Sequence, residues 1–254
     1  MRVEIEMDAA AVACRAADLV SAALRSNPHM VLGLAAGATP LALYAELARR
    51  NAQDGLDFSR ATLFDLDEYL GLTEEDPRGF RQGLRAAFIN KVGTSPGRVH
   101  LLGVADGEDP TAHCTAYEET ILRAGGIDLQ ILGIGVNAHI AFNEPGSAHD
   151  SRTRPVTLSS TTRSALRPHF SCGDEVPRVA VTMGIGTILE ARRLLLLATG
   201  LDKARAVTAT VEGPVTEAVP ASALRHHPDA TILLDRAAAS GLVCSDTKLP
   251  SPRA

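Results

Sequence analysis

Short apolar segments alternate along the chain with longer segments in which apolar residues recur every three or four positions. Short runs rich in Val, Ile and Leu are typical of buried strands, whereas the longer period is typical of amphipathic helices. The strand pattern occurs at Val3–Glu6, Met30–Leu34, Thr62–Leu66, Val99–Leu102, Leu129–Ile134, Leu194–Thr199 and Thr231–Leu234. The helical pattern occurs at Ala9–Arg25, Leu41–Arg50, Arg81–Lys91, Thr111–Arg123 and Lys203–Val211.

This alternation predicts an α/β fold, with an open, doubly wound and mainly parallel sheet and helices on both faces. We expect a single domain over residues 1–244 and a frayed polar tail over Ser245–Ala254. The segment Ser151–Pro177 has weak periodicity, so it is either a mobile lid or an irregular surface connection. Ligands of such sheets bind at the carboxyl ends of the strands, and we therefore expect the chemistry in the loops that follow strands.

Composition narrows the classes of partner. The chain has 254 residues, 45% of them hydrophobic, and a net charge of -5, which argues against binding to nucleic acid or to an anionic membrane. The longest strongly apolar stretch, Leu194–Ala198, is too short to span a bilayer, and the acidic start of the chain does not resemble a signal peptide. We expect a cytoplasmic protein without disulfides or a metal site, because no C-x-x-C pair occurs among its cysteines, Cys14, Cys114, Cys172 and Cys244.

The loop after the second predicted strand consists of small residues and leads into a helix. Thr39 is a natural N-cap in this loop, with Pro40 at the first helical position. Backbone N–H groups at such a helix start can hold a phosphate, so Gly37, Ala38 and Thr39 are candidate ligands. The alternative is an ordinary turn between a strand and a helix.

Acidic residues follow the third predicted strand, at Asp65, Asp67 and Glu68. The two-residue period of an extended segment places Asp65 and Asp67 on one face and Glu68 on the other. A carboxylate at the end of a strand, inside a crevice, can serve as a general base. A solvated acidic turn is the competing interpretation.

The loop after the fifth predicted strand contains Asn137, His139 and Glu144. Glu144 is placed to orient the imidazole of His139 and to set its tautomer, which indicates an acid–base site. A structural histidine is the alternative.

Lys203 follows the next strand and is predicted to lie in the first turn of a helix. A cation there opposes the helix dipole unless it meets an anion, so Lys203 is either a phosphate ligand or a solvent-facing lysine. A basic cluster, either a solvated face or an anion site, comprises Arg152, Arg154, Arg163 and Arg167. His226 and His227 are predicted to lie at the surface.

Together these loops resemble the glucosamine-6-phosphate deaminase (isomerase) family over Met30–Asp235. The most specific motifs are DEYLGL at Asp67–Leu72 and HIAFNEPG at His139–Gly146. SRTR at Ser151–Arg154 and VEGPV at Val211–Val215 add support. The same superfamily contains 6-phosphogluconolactonases, but NEPG is similar to the deaminase branch.

The resemblance implies a doubly wound α/β fold and a reaction without a metal or other cofactor, in which glucosamine 6-phosphate gives fructose 6-phosphate and ammonia. It implies that Asp67 moves a proton between C2 and C1, and that His139 assists ring opening with Glu144 as its partner. Asn137 stands where the family has Asp or Asn, and Ala138 replaces a glycine. The partner is then a small sugar phosphate. Some members form hexamers, so a homo-oligomer is an open expectation.

The phosphate site departs from the family pattern. Lys203 and the loop around Gly37 and Thr39 would hold the phosphate, but the family usually has T-G-[GS]-T-P where this chain has AAGATP. The phosphate-binding Arg of the family aligns with Pro168, and Arg167 stands one residue away as a substitute. Two alternatives to a deaminase therefore stay open: a 6-phosphogluconolactonase-like hydrolase of sugar lactones and a catalytically weak sugar-phosphate-binding protein.

Overall fold

The computed structural model describes residues 1–167, Phe170 and residues 175–243. Its strands are β1 (Arg2–Glu6), β2 (Val31–Gly33), β3 (Thr62–Phe64), β4 (Asp67–Tyr69), β5 (Val99–His100), β6 (Leu129–Leu132), β7 (Arg154–Thr157), β8 (Val179–Thr182), β9 (Leu194–Ala198) and β10 (Ala230–Asp235). Its α-helices are α1 (Ala9–Ser26), α2 (Ala38–Asp54), α3 (Phe80–Ala87), α4 (Pro110–Arg123), α5 (Ser160–Leu166), α6 (Ile185–Leu189) and α7 (Ala204–Val211). No helix in these described ranges combines the length and the apolar character needed to cross a membrane.

The main sheet has seven strands in the order β1-β10-β9-β6-β2-β3-β5, and every pair in it is parallel. These strands are the ones that the apolar runs predict, with ends displaced by one or two residues, so the fold class is confirmed. The predicted helices also occur. The third of them ends earlier than expected, because the chain passes at Ile89–Lys91 into a separate 3-10 turn.

The direction of winding reverses at the centre of this sheet. From β2 the chain moves outward through β3 to β5, and from β6 it moves the opposite way through β9 to β10. Crossovers between parallel strands are almost always right-handed, so the reversal places helices on both faces. It also opens a crevice at the carboxyl ends of β2 and β6, where ligands of such sheets bind.

A large apolar core fills the space between the main sheet and its helices. The central strands are buried along their length, as expected for a parallel sheet covered on both sides. Helix α1 contributes a buried stripe from Val12 to Leu24. Asp8 caps this helix by accepting a hydrogen bond from Ala11 N–H at 2.8 Å.

A second, antiparallel sheet of three strands, in the order β4-β8-β7, was not predicted. Strand β4 is the acidic Asp67–Tyr69 segment, whose composition argued for a turn rather than a strand. The region Ser151–Pro177, expected to be a lid or an irregular connection, contains β7 and α5. Residues 168–169 and 171–174, and the expected tail after residue 243, lie outside the described residues.

A buried ion pair joins β4 to the start of α3. Both oxygens of Glu68 are used: Oε1 accepts from the N–H groups of Tyr69 and Phe80, and Oε2 accepts from Arg81 N–H at 2.8 Å and Arg81 Nε at 3.3 Å. The Arg81 guanidinium also donates to the Leu72 carbonyl. Glu68 is fully buried, so these bonds replace the water that the carboxylate has lost.

We predict that Glu68→Gln lowers the free energy of unfolding by about 3 kcal/mol, because it breaks a buried ion pair and turns an amide N–H₂ towards existing donors. The matched control is Glu119→Gln, which removes an exposed carboxylate that pairs with Arg123 on the surface of α4. Its effect should be far smaller, since surface pairs contribute little. Urea denaturation of both variants measures the difference, and equal losses would contradict the prediction.

Candidate active site

The loop after β2 is held by the hydroxyl of one buried tyrosine. Tyr44 OH accepts from Ala35 N–H at 3.0 Å and donates to the Ala35 carbonyl at 2.8 Å. Helix α2 then begins at Ala38, with Gly37 at its N-cap position and a φ of 112° there. The predicted N-cap, Thr39, is therefore wrong, because a glycine with positive φ lets the chain enter the helix two residues earlier.

The start of α2 is suited to an anion. No side chain in the described residues caps it, so the first N–H groups of the helix are open to a ligand. Instead of capping, the Thr39 hydroxyl lies 3.4 Å from the hydroxyl of Thr199 at the end of β9. This contact joins the loop after β2 to the loop that carries Lys203.

Lys203 lies in the 3-10 turn Leu201–Lys203, immediately before α7 rather than in its first turn. The turn is anchored by Asp235, whose carboxylate accepts from Gly200 N–H at 3.0 and 3.1 Å. The Lys203 ammonium lies 3.2 Å from Asp202, and the lysine side chain is 22% exposed, so it is not freely solvated. Burial lowers the pKa of His139, and the positive charge of Lys203 lowers it further.

The loop after β6 brings together His139, Asn137 and Glu144. The Asn137 side chain accepts from His139 Nδ1 at 2.7 Å and donates to Glu144 Oε2 at 2.9 Å. An amide oxygen can only accept, so Nδ1 carries the proton and Nε2 of the neutral ring is the free acceptor. Asn137 therefore lies between Glu144 and the imidazole, and the orienting role of Glu144 stays a prediction that would act through this amide.

Backbone conformation in this loop is strained. Ala138 has a φ of 65° and Ala141 a φ of 50°, a region that costs a side-chain-bearing residue roughly 1–2 kcal/mol. The loop is held by hydrogen bonds from Ala138 N–H to the Gly135 carbonyl and from Ala221 N–H to the Ala138 carbonyl. Gly135 lies against the His139 ring, where a Cβ would approach Cε1 to 2.2 Å. The ring can occupy its position only because residue 135 is glycine.

The imidazole and the carboxylate of this loop have shifted pKa values. Burial lowers the pKa of His139, with the Lys203 charge acting in the same direction and the Glu144 charge against it. Burial works to raise the pKa of Glu144, but the nearby Thr162 hydroxyl, the Asn137 amide and the His139 ring outweigh it, so that pKa is lowered. At neutral pH the imidazole is therefore neutral and the carboxylate ionised.

Asp67 is a buried carboxylate, not part of a solvated turn. It is 7% exposed, and no described residue donates a hydrogen bond to its side chain. Burial raises its pKa well above the ordinary value, and the charges of Asp65 and Glu68 raise it further. Its strand partner is Thr182, whose hydroxyl accepts from Phe142 N–H at 3.0 Å. Thr182 therefore lies beside Asp67 in the sheet and also binds the loop that contains His139.

The basic cluster is mostly engaged within the protein. Arg152 pairs with Glu118 and Glu190, and Arg154 donates to Asn143 Oδ1 and Ser147 Oγ. Arg167 lies just after α5 with its side chain exposed, and its place in a phosphate site stays a prediction.

His226 is exposed as expected, but the prediction for His227 is wrong. Its side chain is 5% exposed, and its ring nitrogens bind the Ala191 carbonyl and Asp229 N–H. In the described residues Cys14 and Cys114 are free thiols, and no group of three or more His, Cys, Asp or Glu side chains is placed to hold a metal ion.

Three residues that hold the loops were missed. Tyr44 anchors the loop after β2, Asp235 anchors the Lys203 loop, and Ser159 donates to Glu144 Oε1 at 3.0 Å. Asp235 carried a signal, since it is a carboxylate directly after the last predicted strand. Tyr44 carried no such signal, because a tyrosine on the apolar face of a helix is usually a core residue.

Comparison with known proteins identifies the family of the chain. Residues 5–233 match the family model described as glucosamine-6-phosphate isomerases/6-phosphogluconolactonase. The chain belongs to this family. A relative from Arthrobacter sp. (strain FB24), named glucosamine-6-phosphate deaminase, is 49% identical over 91% of this chain and 88% of its own. One of the same name from Thermoanaerobacter pseudethanolicus is 42% identical over 98% of both chains.

Solved structures of the family have the same architecture. One described as a monomeric glucosamine-6-phosphate deaminase is 40% identical, covers 95% of this chain and 100% of its own, and superimposes with a TM-score of 0.92. The 6-phosphogluconolactonase of Trypanosoma cruzi is 22% identical over 96% of this chain and 97% of its own, with a TM-score of 0.76. At that identity the second likeness concerns the fold alone.

We predict that Asn137→Asp raises the pKa of His139. The new carboxylate would lie beside Nδ1, where a negative charge favours the imidazolium. Asn137→Ala is the control, since it removes the hydrogen bond but adds no charge, and burial should keep the pKa of His139 low. Both values can be read from the pH dependence of the ¹⁵N and ¹H shifts of the ring. An unchanged value in Asn137→Asp would show that residue 137 does not face the imidazole.

Proposed function

We propose that this protein converts glucosamine 6-phosphate and water into fructose 6-phosphate and ammonia. The observation that carries the proposal is the buried Asp67 carboxylate, unbonded among the described residues and paired in the sheet with Thr182, which binds the His139 loop. The deaminases among its relatives, at 41–49% identity, support the same reaction.

His139 is suited to open the sugar ring. Ring opening transfers a proton from the anomeric hydroxyl to the ring oxygen. The lowered pKa of His139 keeps its ring neutral, and Asn137 directs the Nδ1 proton away, so Nε2 can accept the proton and return it. Glu144 fixes the Asn137 amide, so its role is to orient the imidazole through that amide.

Asp67 is suited to move the next proton. The open-chain form is a 2-amino aldehyde, and the hydrogen on C2 is acidic because it lies beside a carbonyl. Asp67 would take this proton from C2 and return it to C1, while the aldehyde oxygen gains the proton that the amino group gives up. The product has a hydroxyl at C1 and an imine at C2. Water then adds to that imine, giving the ketone of fructose 6-phosphate and ammonia. The raised pKa of Asp67 suits both halves of this transfer.

The phosphate would lie between the start of α2 and Lys203. The N–H groups at the helix start supply donors, and the Lys203 ammonium supplies charge. The contact between Thr39 and Thr199 joins these two loops, so a single phosphate can reach both. The altered AAGATP loop removes side-chain hydroxyls but leaves these backbone donors in place.

Location and assembly stay predictions from the sequence. A cytoplasmic protein fits a substrate that arises in sugar metabolism. The expected homo-oligomer competes with a monomer, because one solved relative is described as monomeric. Size-exclusion chromatography with light scattering would decide between them.

We predict that the wild-type protein releases ammonia from at least one member of a panel of hexosamine 6-phosphates, and that Asp67→Asn lowers this rate at least about 100-fold because the amide is not basic. Asp57→Asn, an exposed position away from the crevice, is the matched control and should keep full activity. If Asp67→Asn retains more than about a tenth of the rate, Asp67 is not the base. A wild-type protein that hydrolyses 6-phosphogluconolactone but releases no ammonia would favour the lactonase alternative. A protein that binds sugar phosphates without turnover would favour the sensor.

We predict that Lys203→Ala raises KM for the phosphorylated substrate roughly 10-fold or more, the loss of one charge-assisted contact. Its affinity for the unphosphorylated amino sugar should not change. Lys91→Ala, an exposed lysine in the 3-10 turn after α3, is the control. Arg167→Ala in the same assay asks whether this arginine takes part in phosphate binding. Equal effects of Lys203→Ala on the two sugars would remove Lys203 from the phosphate site.

A further inference from the structure

Asp65 is a second buried carboxyl group beside the proposed base, and the reaction described above gives it no role. It lies between the end of β3 and Asp67 and is 1% exposed. Its Oδ1 accepts from Leu102 N–H at 2.6 Å and from the Tyr117 hydroxyl at 3.2 Å. Its Oδ2 is buried and has no hydrogen-bond partner within the described residues.

The surroundings of Asp65 contain more negative than positive charge. Asp67 and Glu68 follow Asp65 closely in the chain, at the start of β4, and Arg81 of α3 is paired with Glu68. Tyr117 of α4 and Tyr44 of α2 are the other titratable groups that face it, and burial keeps both phenols neutral. Arg81 is already paired with Glu68, so no cation in the described residues is paired with either Asp65 or Asp67.

Two carboxyl groups in such a place cannot ionise independently of each other. Each negative charge, formed in a medium with little water, makes the second more costly, and the two groups then titrate as a pair. Burial raises the pKa of Asp65 to about 7, against the effect of the Leu102 N–H bond. The Asp65 charge in turn is the largest contribution after burial to the raised pKa of Asp67.

We propose that Asp65 is a positioning residue that controls the charge of the base Asp67, the two buried carboxyl groups acting as one coupled pair. Its role as a partner to a base rests on the proposed function, but the coupling itself does not. A general base works best when its proton affinity lies near the working pH. A solvated carboxylate is too weak a base for this. Burial raises the proton affinity of Asp67, and the neighbouring charge of Asp65 raises it further.

The variant Asp65→Asn separates charge from shape. The amide oxygen can keep both bonds now made to Oδ1, from Leu102 N–H and the Tyr117 hydroxyl. The N–H₂ group takes the place of the unpartnered Oδ2. The variant therefore removes one buried negative charge and leaves the anchoring contacts of the segment in place.

The first measurement needs neither substrate nor turnover. Carboxyl ¹³C signals of labelled aspartate are titrated in the wild-type protein and in Asp65→Asn, and the Asp67 signal is identified by its loss in Asp67→Asn. We expect the midpoint of Asp67 to fall by roughly one pH unit, the size of coupling at which two groups titrate together. Asp128→Asn, at the opposite end of the parallel strands, is the control and should leave it unchanged. An unchanged Asp67 midpoint in a folded Asp65→Asn protein would overturn the proposal.

The reciprocal variant protects the test against a folding failure. Coupling between two sites is mutual, so Asp67→Asn should lower the midpoint of Asp65 by a similar amount. If Asp65→Asn does not fold, this second titration decides, and an Asp65 midpoint that does not move would overturn the proposal.

Kinetics then connects the coupling to the reaction. In Asp65→Asn the acid limb of the kcat/KM profile for ammonia release should move to lower pH by the same amount, with a lower plateau because the base is weaker. A purely structural role would lower the plateau and leave the limb in place, which would overturn the proposal. Failure of the proposed function would give a different result. If the wild-type protein releases no ammonia but its two carboxyl groups still titrate together, the proposed reaction is refuted and the coupling of Asp65 to Asp67 is not.

Discussion

The close approach of β2 and β6 at the centre of the sheet is the constraint on which the crevice depends. In this parallel pair Gly33 lies opposite Gln130, and a Cβ on Gly33 would come within 1.9 Å of the Gln130 side chain. Gln130 is fully buried, and its Nε2 donates to the Ile131 carbonyl at 2.8 Å. Because residue 33 lacks a side chain, the glutamine lies across the strand pair. The winding reverses at this pair, so the loops after β2 and β6 open side by side.

Buried polar groups then turn these loops into a rigid site. Tyr44 satisfies both backbone groups of Ala35, Asp235 binds Gly200 N–H, and Thr182 binds Phe142 N–H. In each case a side chain from a regular element binds backbone in a loop. Such bonds are expensive to lose when buried, because the freed group has no water to replace its partner. The loops can therefore keep strained residues such as Ala138 in place.

Sequence patterns predicted the main sheet well because its strands are buried on both faces and read as continuous apolar runs. They missed β4, whose Asp67 and Glu68 are buried although their type is usually exposed. They placed the N-cap of α2 at Thr39, because capping preferences do not reveal that Gly37 turns the chain earlier. The apolar runs that predict the strands also mark the loops after them, and the candidate site residues were chosen from those loops. The bond from His139 to Asn137 could not be predicted, since it depends on how a loop of irregular conformation closes.

Burial shifts the pKa values of the two proposed proton carriers in opposite directions. The same loss of water raises the pKa of Asp67 and lowers that of His139, because it disfavours the charged form of each. The reaction needs Asp67 ionised and His139 neutral, which requires a pH above the pKa of each. Because the pKa of Asp67 is the raised one, Asp67 sets the lower pH limit of activity. Between the unfolded pKa of Asp67 and its raised folded value, the folded chain binds more protons than the unfolded chain. Stability therefore falls as the pH rises through that window. The ionised base is thus held at a cost to the fold, and the bonds that close the loops around it offset that cost.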